Sequence, residues 1–382
     1  DISEKTDELR AEEEELERRQ EAKEVLNRAT ELAHRELKDH HTELYEFLKE
    51  YRDFSDQTMK DAKVGFISSD LSETLKERFS EQQLLDSGLF YERDGQIQCQ
   101  MWRRVVFPYM RGDNTKYMIG GVPKEQAPEP YGGMLENSSA KYKKLNTTEY
   151  NEHIVYQFKQ DSQSSDTVVI TEGVTDAISV HQAGYNVSSP VTTQYSDEDI
   201  QRVCQEAKHY STVYICMDAD DAGQEGARKT AHELSKEGIE AQIVSLDEGD
   251  LDDYTSRHGY DLQELLEDAE LYIDVLDQEL ENASRQEITE IKHAIFEAVE
   301  SWDKPRRCEV LSQLSRGTKK ENKDQFDEWL STEQTEQTEQ TEGFSHEDSR
   351  ARTYFRLNQA YHQTRDHDTH PLFQTYHRHP EM

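Results

Sequence analysis

Four acids carry the chemistry that this sequence offers first. Glu172 and Asp176 lie in the run TVVITEGVTDAISVHQAG, and Asp218 and Asp220 lie further along in VYICMDADDAG. In each run an apolar, β-branched stretch ends abruptly in acid, so the four carboxylates are expected to converge at the carboxyl ends of two neighbouring strands. Carboxylates crowded at one point repel each other unless a cation neutralises them. Mg2+ takes a few carboxylate oxygens together with water and substrate phosphates, so one or two Mg2+ ions, or Mn2+ in their place, are the expected cofactor. Asp250, Asp252 and Asp253 follow the next apolar stretch, Ala241 to Leu246, and extend the acid set toward the same site. A lone Asp-x-Asp in so acidic a chain is ordinarily a solvated turn or a helix cap. The placement of each acid at a strand end is what makes the constellation a metal site.

The elements that must position these acids are legible around them. Thr167 to Thr171 reads as a strand buried on both faces, and the helical stretch from about Thr175 to Ala183 stops at Gly184. Val213 to Met217 reads as a second strand, Gly223 permits a tight strand-to-helix turn, and Gln224 to Lys236 reads as a helix. Ser196, with Asp199 three residues on, resembles a capping box opening a further helix. Alternating strands and helices imply a mainly parallel sheet, whose ligands bind beyond the carboxyl strand ends. The acids sit in that crevice.

Glu172-Gly173-x-x-Asp176 followed by Asp218-Ala219-Asp220-x-Ala222-Gly223 resembles the Toprim signature shared by bacterial-type primases, topoisomerases and some nucleases. Leu84 to Leu89, Arg104 to Pro108, Ile119-Gly120-Gly121 and Lys143-Lys144-Leu145-Asn146 occur in the order of the DnaG-type primase catalytic core. The resemblance runs roughly from Val25 to Leu330. It implies an α/β fold in which a Toprim-type, mainly parallel sheet flanked by helices is preceded by a mixed α+β subdomain and followed by a helical subdomain. The activity it implies is a DNA primase, a nucleotidyltransferase making short primers on single-stranded DNA from nucleoside triphosphates by Mg-dependent attack of a 3′-hydroxyl. By the same resemblance Glu172, Asp218 and Asp220 hold one ion, Asp250 and Asp252 draw in a second, and Asp176 shapes the ligand set or holds a water. Arg103, Arg104, Lys141, Lys143 and Lys144 are the basic residues expected at template and nucleotide, with Arg104 and Lys143 foremost at phosphates. A replicative helicase is a partner by family analogy alone. The pattern is not complete: Trp102 and Val122 stand where the family usually has arginine, Lys144 where it has tyrosine, and Leu251 where it has proline.

Charge tests the nucleic-acid reading. The 382 residues hold 44 Lys and Arg against 81 Asp and Glu, a net charge of −37, which repels a polyanion at long range. At molar salt the Debye length shrinks to about 3 Å, so local contacts decide. Cys99 to Asn146 contains eight bases against four acids, a positive island that coincides with the primase-like motifs. Trp102, Tyr109, Tyr117 and Tyr142 lie among its cations, where they could stack on bases or simply pack. The excess acid is read as a halophilic surface.

Only 33% of the chain is apolar, so the packed core must lie in the patterned middle. No stretch approaches the roughly 20 apolar residues of a membrane span, and the start has no apolar signal region; a cytoplasmic location without membrane partners is expected. The first residue is Asp1 rather than methionine, which points to a missing upstream part. Four scattered cysteines form no C-x-x-C pair, so no zinc is expected; the N-terminal zinc module usual in DnaG-type primases is absent, lost or supplied by another chain. Five regions follow: an acidic helical leader over 1–22, a mixed subdomain over 23–158, the metal-binding unit over 159–260, a helical subdomain over 261–330, and a tail over 331–382. That tail holds three Thr-Glu-Gln repeats and a scatter of histidines, and reads as disordered or partner-binding. Two other classes stay open: a Toprim nuclease, which would not need the basic island, and a non-catalytic accessory protein with a vestigial metal site.

Overall fold

The computed structural model describes residues 2–124, 126–132, 140–152, 154–160, 166–191, 197–257 and 261–317. Ser196 and the 331–382 segment lie outside them. Two units divide at Asp303 and Lys304.

The first unit opens with three helices, α1 (Ile2–His40), α2 (Thr42–Arg52) and α3 (Asp56–Asp61), then β1 (Gly65–Ile67), α4 (Ser69–Arg78) and α5 (Glu81–Asp86). A hairpin, β2 (Phe90–Arg93) and β3 (Gln96–Cys99), precedes two long strands, β4 (Arg104–Arg111) and β5 (Asn114–Gly121), and the short β6 (Tyr142–Lys144). The order β1-β4-β5-β6 makes an antiparallel four-stranded sheet. Val25, Leu26, Ala29, Ala33 and Leu37 of α1 are at most 1% exposed. Each such leucine contributes about 2 kcal/mol by leaving water, and α1 packs through this stripe on β1 and β5. No break separates the acidic leader from the stripe: α1 runs unbroken through residue 22, and Ala22 is itself fully buried. Leu9 and Leu16, seven apart in the leader, are 60% and 69% exposed, so that half of the helix is a solvated one.

A second sheet follows. Its strands are β7 (Tyr156–Phe158), β8 (Thr167–Thr171), β9 (Asn186–Ser189), β10 (Thr212–Cys216), β11 (Ala241–Val244) and β12 (Glu270–Leu271), with α6 (Val174–Gln182), α7 (Asp197–Ala207), α8 (Asp221–Lys236), α9 (Leu251–Arg257) and α10 (Leu262–Glu267) between them. The spatial order is β12-β11-β10-β8-β9-β7. The inner four strands run parallel and the two edges antiparallel, as expected of a mainly parallel sheet. Val168, Val169, Ile170, Val213 and Ile215 are at most 1% exposed, which explains why their sequences read as unbroken apolar runs. Gly184, at φ +89, ends the first crossover helix where a side chain would be strained. The sheet reaches beyond the 159–260 interval read from sequence, because both antiparallel edges lie outside it. Strands of two or three residues carry too little alternation to be seen in the sequence.

Two helices, α11 (Tyr272–Asn282) and α12 (Arg285–Glu300), close the first unit against α8, where Trp302 Nε1 donates to the Ser235 carbonyl at 3.0 Å. Ile295, Ala298 and Val299 of α12 are fully buried. In the second unit α13 (Lys304–Gly317) carries an Arg306–Glu309 pair at 2.9 Å. No helix among the described residues is long and apolar enough to cross a membrane.

Candidate metal centre and its basic flank

The sheet register decides where the acids meet. Thr171 pairs with Cys216 across the parallel β8–β10 ladder, so Glu172 and Asp218 leave the sheet side by side at its carboxyl edge. Glu172 is half-buried, and its Oε2 is enclosed without a hydrogen-bond partner. Burial, then Asp220, raises its pKa, while the Asp218 N–H opposes. Asp218 is pushed up to about 7, first by burial and then by Glu172, Asp250 and Asp220, with Lys141 opposing. Asp220 caps α8, its Oδ1 accepting from the Gly223 N–H at 2.8 Å.

Gly223 makes that turn possible, since a β-carbon there would sit 2.2 Å from the Asp218 carbonyl oxygen. Gly223→Ala is therefore expected to push the Asp218 loop off the sheet end and to cost about 1–3 kcal/mol, the usual range for overpacking. Chemical denaturation measures this, and an unchanged midpoint would show that the loop has room to give.

The third acidic loop is pinned to the second. The Ala219 N–H donates to the Gly249 carbonyl at 2.9 Å, and Asp250 Oδ1 accepts from the Asp253 N–H at 2.7 Å at the start of α9. Carboxylate oxygens of Asp250, Asp252 and Asp253 lie within 4.8 Å of one another. Asp252 nonetheless differs from its neighbours. It is fully buried, with Oδ2 ion-paired to Arg52 and Oδ1 accepting from Ser179 Oγ at 2.8 Å. Asp176 is buried too, its Oδ2 accepting from the Gly173 N–H and its Oδ1 from the Asp252 N–H, each at 3.0 Å. Burial, reinforced by Asp250, Asp252 and Asp218, holds the Asp176 carboxyl well above the usual range.

The acids thus play two parts. Glu172, Asp218, Asp220 and Asp250 are electrostatic neighbours, although among the described residues the acids whose oxygens come within 4.8 Å of one another are Asp250, Asp252 and Asp253. Asp176 and Asp252 hold backbone and Arg52. Asp252, expected from sequence as a ligand of a second ion, has both oxygens engaged by protein groups. The donor chemistry fits a hard divalent cation: the Glu172 Oε2 lacks a hydrogen-bond partner, which is costly when buried, Asp250, Asp252 and Asp253 lie close together, and oxygen-only donors suit Mg2+ or Mn2+.

Protonation provides a test of that fit. Asp218, Glu172 and Asp176 all have folded pKa values above their unfolded ones, so between about pH 4 and about pH 7 the native state holds protons that the unfolded chain has released. The metal-free protein is therefore expected to lose stability as pH rises through that window. Mg2+ should restore it, raising the melting temperature more at about pH 8 than at about pH 5. Thermal melts in chelator and in Mg2+ check this, and a Mg2+ effect independent of pH would count against the fit.

The positive island does not fold as one patch. Because β4 and β5 are a hairpin, Arg111 and Lys116 go to its turn, where they pair with Glu206 at 3.7 Å and Glu152 at 2.7 Å. Lys141, Tyr142 and Lys143 sit at the opposite end, next to Gly120 and Gly121. Of the five expected nucleic-acid cations, Lys141 is the one that Asp218 and Asp250 act upon, against burial and the charges of Lys124 and Arg52. Lys143 faces Arg104 and Cys99, and Lys144 faces Asp199 and Arg202. Arg103 is exposed, its guanidinium 5.6 Å from the Trp102 ring. Arg104 is only 3% exposed and donates to the carbonyls of Gly120 at 3.2 Å, Lys141 at 3.1 Å and Ala140 at 2.9 Å. It fastens the entry to β6 rather than reaching into solvent for a phosphate. Tyr109 and Tyr117, candidates for stacking on bases, are core residues 5.3 Å apart, whereas Trp102 is 52% exposed.

Sequence reasoning passed over Arg52 and Ser179, the two side chains that hold Asp252. Nothing local distinguishes Arg52 from the other charges of α2, because only the fold carries it under the α6–α9 contact.

A protein-family comparison matches residues 169–255 to a Toprim-like model, the interval that carries Glu172, Asp176, Asp218, Asp220, Asp250, Asp252 and Asp253. The first unit is thus a Toprim-containing α/β structure. Among curated proteins, the chain is similar to a DNA primase of Clostridium acetobutylicum, 26% identical over 278 residues covering 70% of this chain and 45% of that protein. It is also similar to a DNA primase of Staphylococcus aureus, 35% identical over 98 residues covering 25% and 16%. The chain spans less than half the length of these relatives. Among solved structures, a DNA primase domain from Pseudomonas aeruginosa matches with a TM-score of 0.64 at 20% identity over 80% of this chain and 99% of that one. A DnaG primase catalytic domain bound to single-stranded DNA matches with a TM-score of 0.63 at 19% identity, over 79% and 97%. The architecture is that of a DnaG-like primase catalytic core.

Proposed function

We propose that this chain is a DNA primase core, a nucleotidyltransferase that builds short primers on a single-stranded DNA template. In the reaction a 3′-hydroxyl oxygen bonds to the α-phosphorus of a nucleoside triphosphate, the bond to the β-phosphate breaks, and pyrophosphate and a proton leave. The observation that supports the reading is that Glu172 and Asp218 follow adjacent parallel strands at one sheet edge and are electrostatic neighbours of Asp220. With them come an unpartnered Glu172 oxygen, the close trio Asp250, Asp252 and Asp253 on the next loop, and Lys141 at the flank. Bound there, Mg2+ or Mn2+ would supply Lewis-acid stabilisation of the charge that develops on the reacting oxygens.

The protein's own groups do the rest. Glu172, Asp218, Asp220 and Asp250 would hold the metal and face the phosphates, while Asp176 and Asp252 act as positioning residues that fix α6 against α9. Lys141 neutralises the triphosphate as a point charge, and Arg104 positions Lys141 through its grip on residues 140 and 141. Arg103, Lys143 and Lys144 line the approach of the template, and Trp102 offers a face on which a base can stack. A replicative helicase partner and a halophilic setting belong to the same reading.

Incubation with single-stranded DNA, labelled nucleotides and Mg2+ or Mn2+ across a salt series tests it. New oligonucleotides support a primase, whereas a shortened template would assign the site to hydrolysis instead. Activity and folding are expected to rise toward molar salt, where the repulsion of net charge −37 is screened; full activity at low salt would remove the halophilic part.

A further inference from the structure

In a chain with 81 acids and 44 bases, a cation is expected to find a carboxylate. Arg35, Lys38, Lys60 and Lys63 do not: among the described residues, no carboxylate lies within 4.0 Å of their charged atoms. All four line one open groove of about 1080 Å3, together with Arg111, Lys159 and Phe158. Arg35 and Lys38 stand three apart on α1, about 5–6 Å between β-carbons. The acids along the groove are fewer, and two of them are turned aside, Glu31 to Arg28 at 3.0 Å and Asp61 to His181 at 3.6 Å.

The groove is remote from the acidic centre on two topological grounds. Lys141 and Tyr142 adjoin the Gly121 end of the β4–β5 pair, whereas Arg111, Gly112 and Asp113 of the groove are its turn; eight-residue strands place these ends about 24 Å apart. Phe158 and Lys159 follow the same division. Phe158 pairs with Val187 at the start of β9, the amino edge of the parallel strands, while Glu172 and Asp218 leave from the carboxyl edge.

We propose that this groove is a second binding surface for single-stranded nucleic acid, gripping a stretch of strand distant from the acidic centre. It rests on the primase reading for the identity of the polyanion. In a chain of net charge −37, a cluster of cations with no carboxylate within 4.0 Å gives a polyanion a local attraction that the rest of the surface denies it. Their spread over α1, α3 and the segment after it suits an extended backbone better than a single phosphate. Phe158, half-buried and fixed by its stack at 4.2 Å on His181, adds an apolar element to the wall between the cations.

The test uses the full chain and labelled oligothymidylate over a salt series. The variant Arg35→Gln/Lys38→Gln/Lys60→Gln/Lys63→Gln alters groove residues outside the buried core. It is expected to lower the slope of log affinity against log salt by about 3, given roughly 0.7 per phosphate contact on single strands. Photocross-linking of bromouracil-substituted strand to the unaltered protein, read by peptide mapping, should label α1 around Arg35 and the segment around Phe158 as well as β6. Labelling at β6 alone, with an unchanged slope in the variant, overturns the groove proposal and leaves the primase reading intact. Labelling at neither surface removes both. Groove peptides protected by polyglutamate but not by oligothymidylate would also overturn it, assigning the surface to an acidic polypeptide.

Discussion

Asp218→Asn abolishes primer synthesis while template binding stays within a few fold: that is the outcome expected if the sheet-edge carboxylates do the chemistry. Asp218 lies among these charges: burial first, then Glu172, Asp250 and Asp220, raises its pKa, and Lys141 lowers it. An amide of the same shape keeps the loop, including the Ala219 N–H bond to Gly249, but removes the negative charge that holds a divalent ion. Charge stabilisation by a bound metal is worth several kcal/mol, and about 4 kcal/mol corresponds to roughly 1,000-fold in rate. Binding should survive because Lys141, Lys143 and Arg103 are untouched. The substitution should also remove a carboxyl whose proton stabilises the metal-free fold at low pH and is lost toward neutral pH, so its stability in chelator should vary less between about pH 4 and about pH 7. Primer synthesis retained by this variant, with unaltered Mg2+ dependence, would sink the catalytic assignment.

The acids were legible in the sequence because each ends an apolar run, and a buried parallel strand is among the plainest signals a sequence carries. Thr167–Thr171 and Ala241 were read as strand positions, and the structure has them so. The edges β7 and β12 were not legible, at three and two residues. The division of labour among the acids was not legible either. Asp252 and Asp250 are two residues apart and alike in sequence, yet one is sealed against Arg52 and the other is half-buried and accepts from the Asp253 N–H, a difference made by α2 arriving from far along the chain. The basic island misled in a different way. A hairpin sends consecutive cations to opposite ends, so a linear count of charge over Cys99 to Asn146 merges two surfaces, and Arg104 within it is buried under carbonyls.

Arg52 is where the fold and the site meet, and its removal carries the largest expected effect on stability. The guanidinium is 7% exposed and ion-paired with the fully buried Asp252. A guanidinium does not deprotonate in proteins; burial raises the Asp252 pKa, and Arg52 and the Ser179 hydroxyl oppose it and favour the ionised carboxylate. Burial works to lower the Arg52 pKa, and Asp252 outweighs it. Arg52→Ala leaves Asp252 charged and buried, or forces a proton onto it, and breaking such a pair costs about 3–5 kcal/mol. The loss extends to the site. Asp252 also accepts from Ser179 and donates its N–H to Asp176, so the variant loosens α9 from α6, and Asp250 moves with α9. Arg52→Met with Asp252→Leu separates the two consequences. An apolar pair of similar volume can match or exceed a buried ion pair in stability, so the double variant is expected to recover most of the folding free energy. Activity should not follow, because the hydroxyl of Ser179 and the placement of Asp250 depend on a carboxylate at residue 252. Chemical denaturation and primer synthesis on the same preparations decide the matter. If Arg52→Ala costs less than about 1 kcal/mol, the magnitude of an exposed pair, then the Arg52–Asp252 contact is open to water and does not hold the centre together.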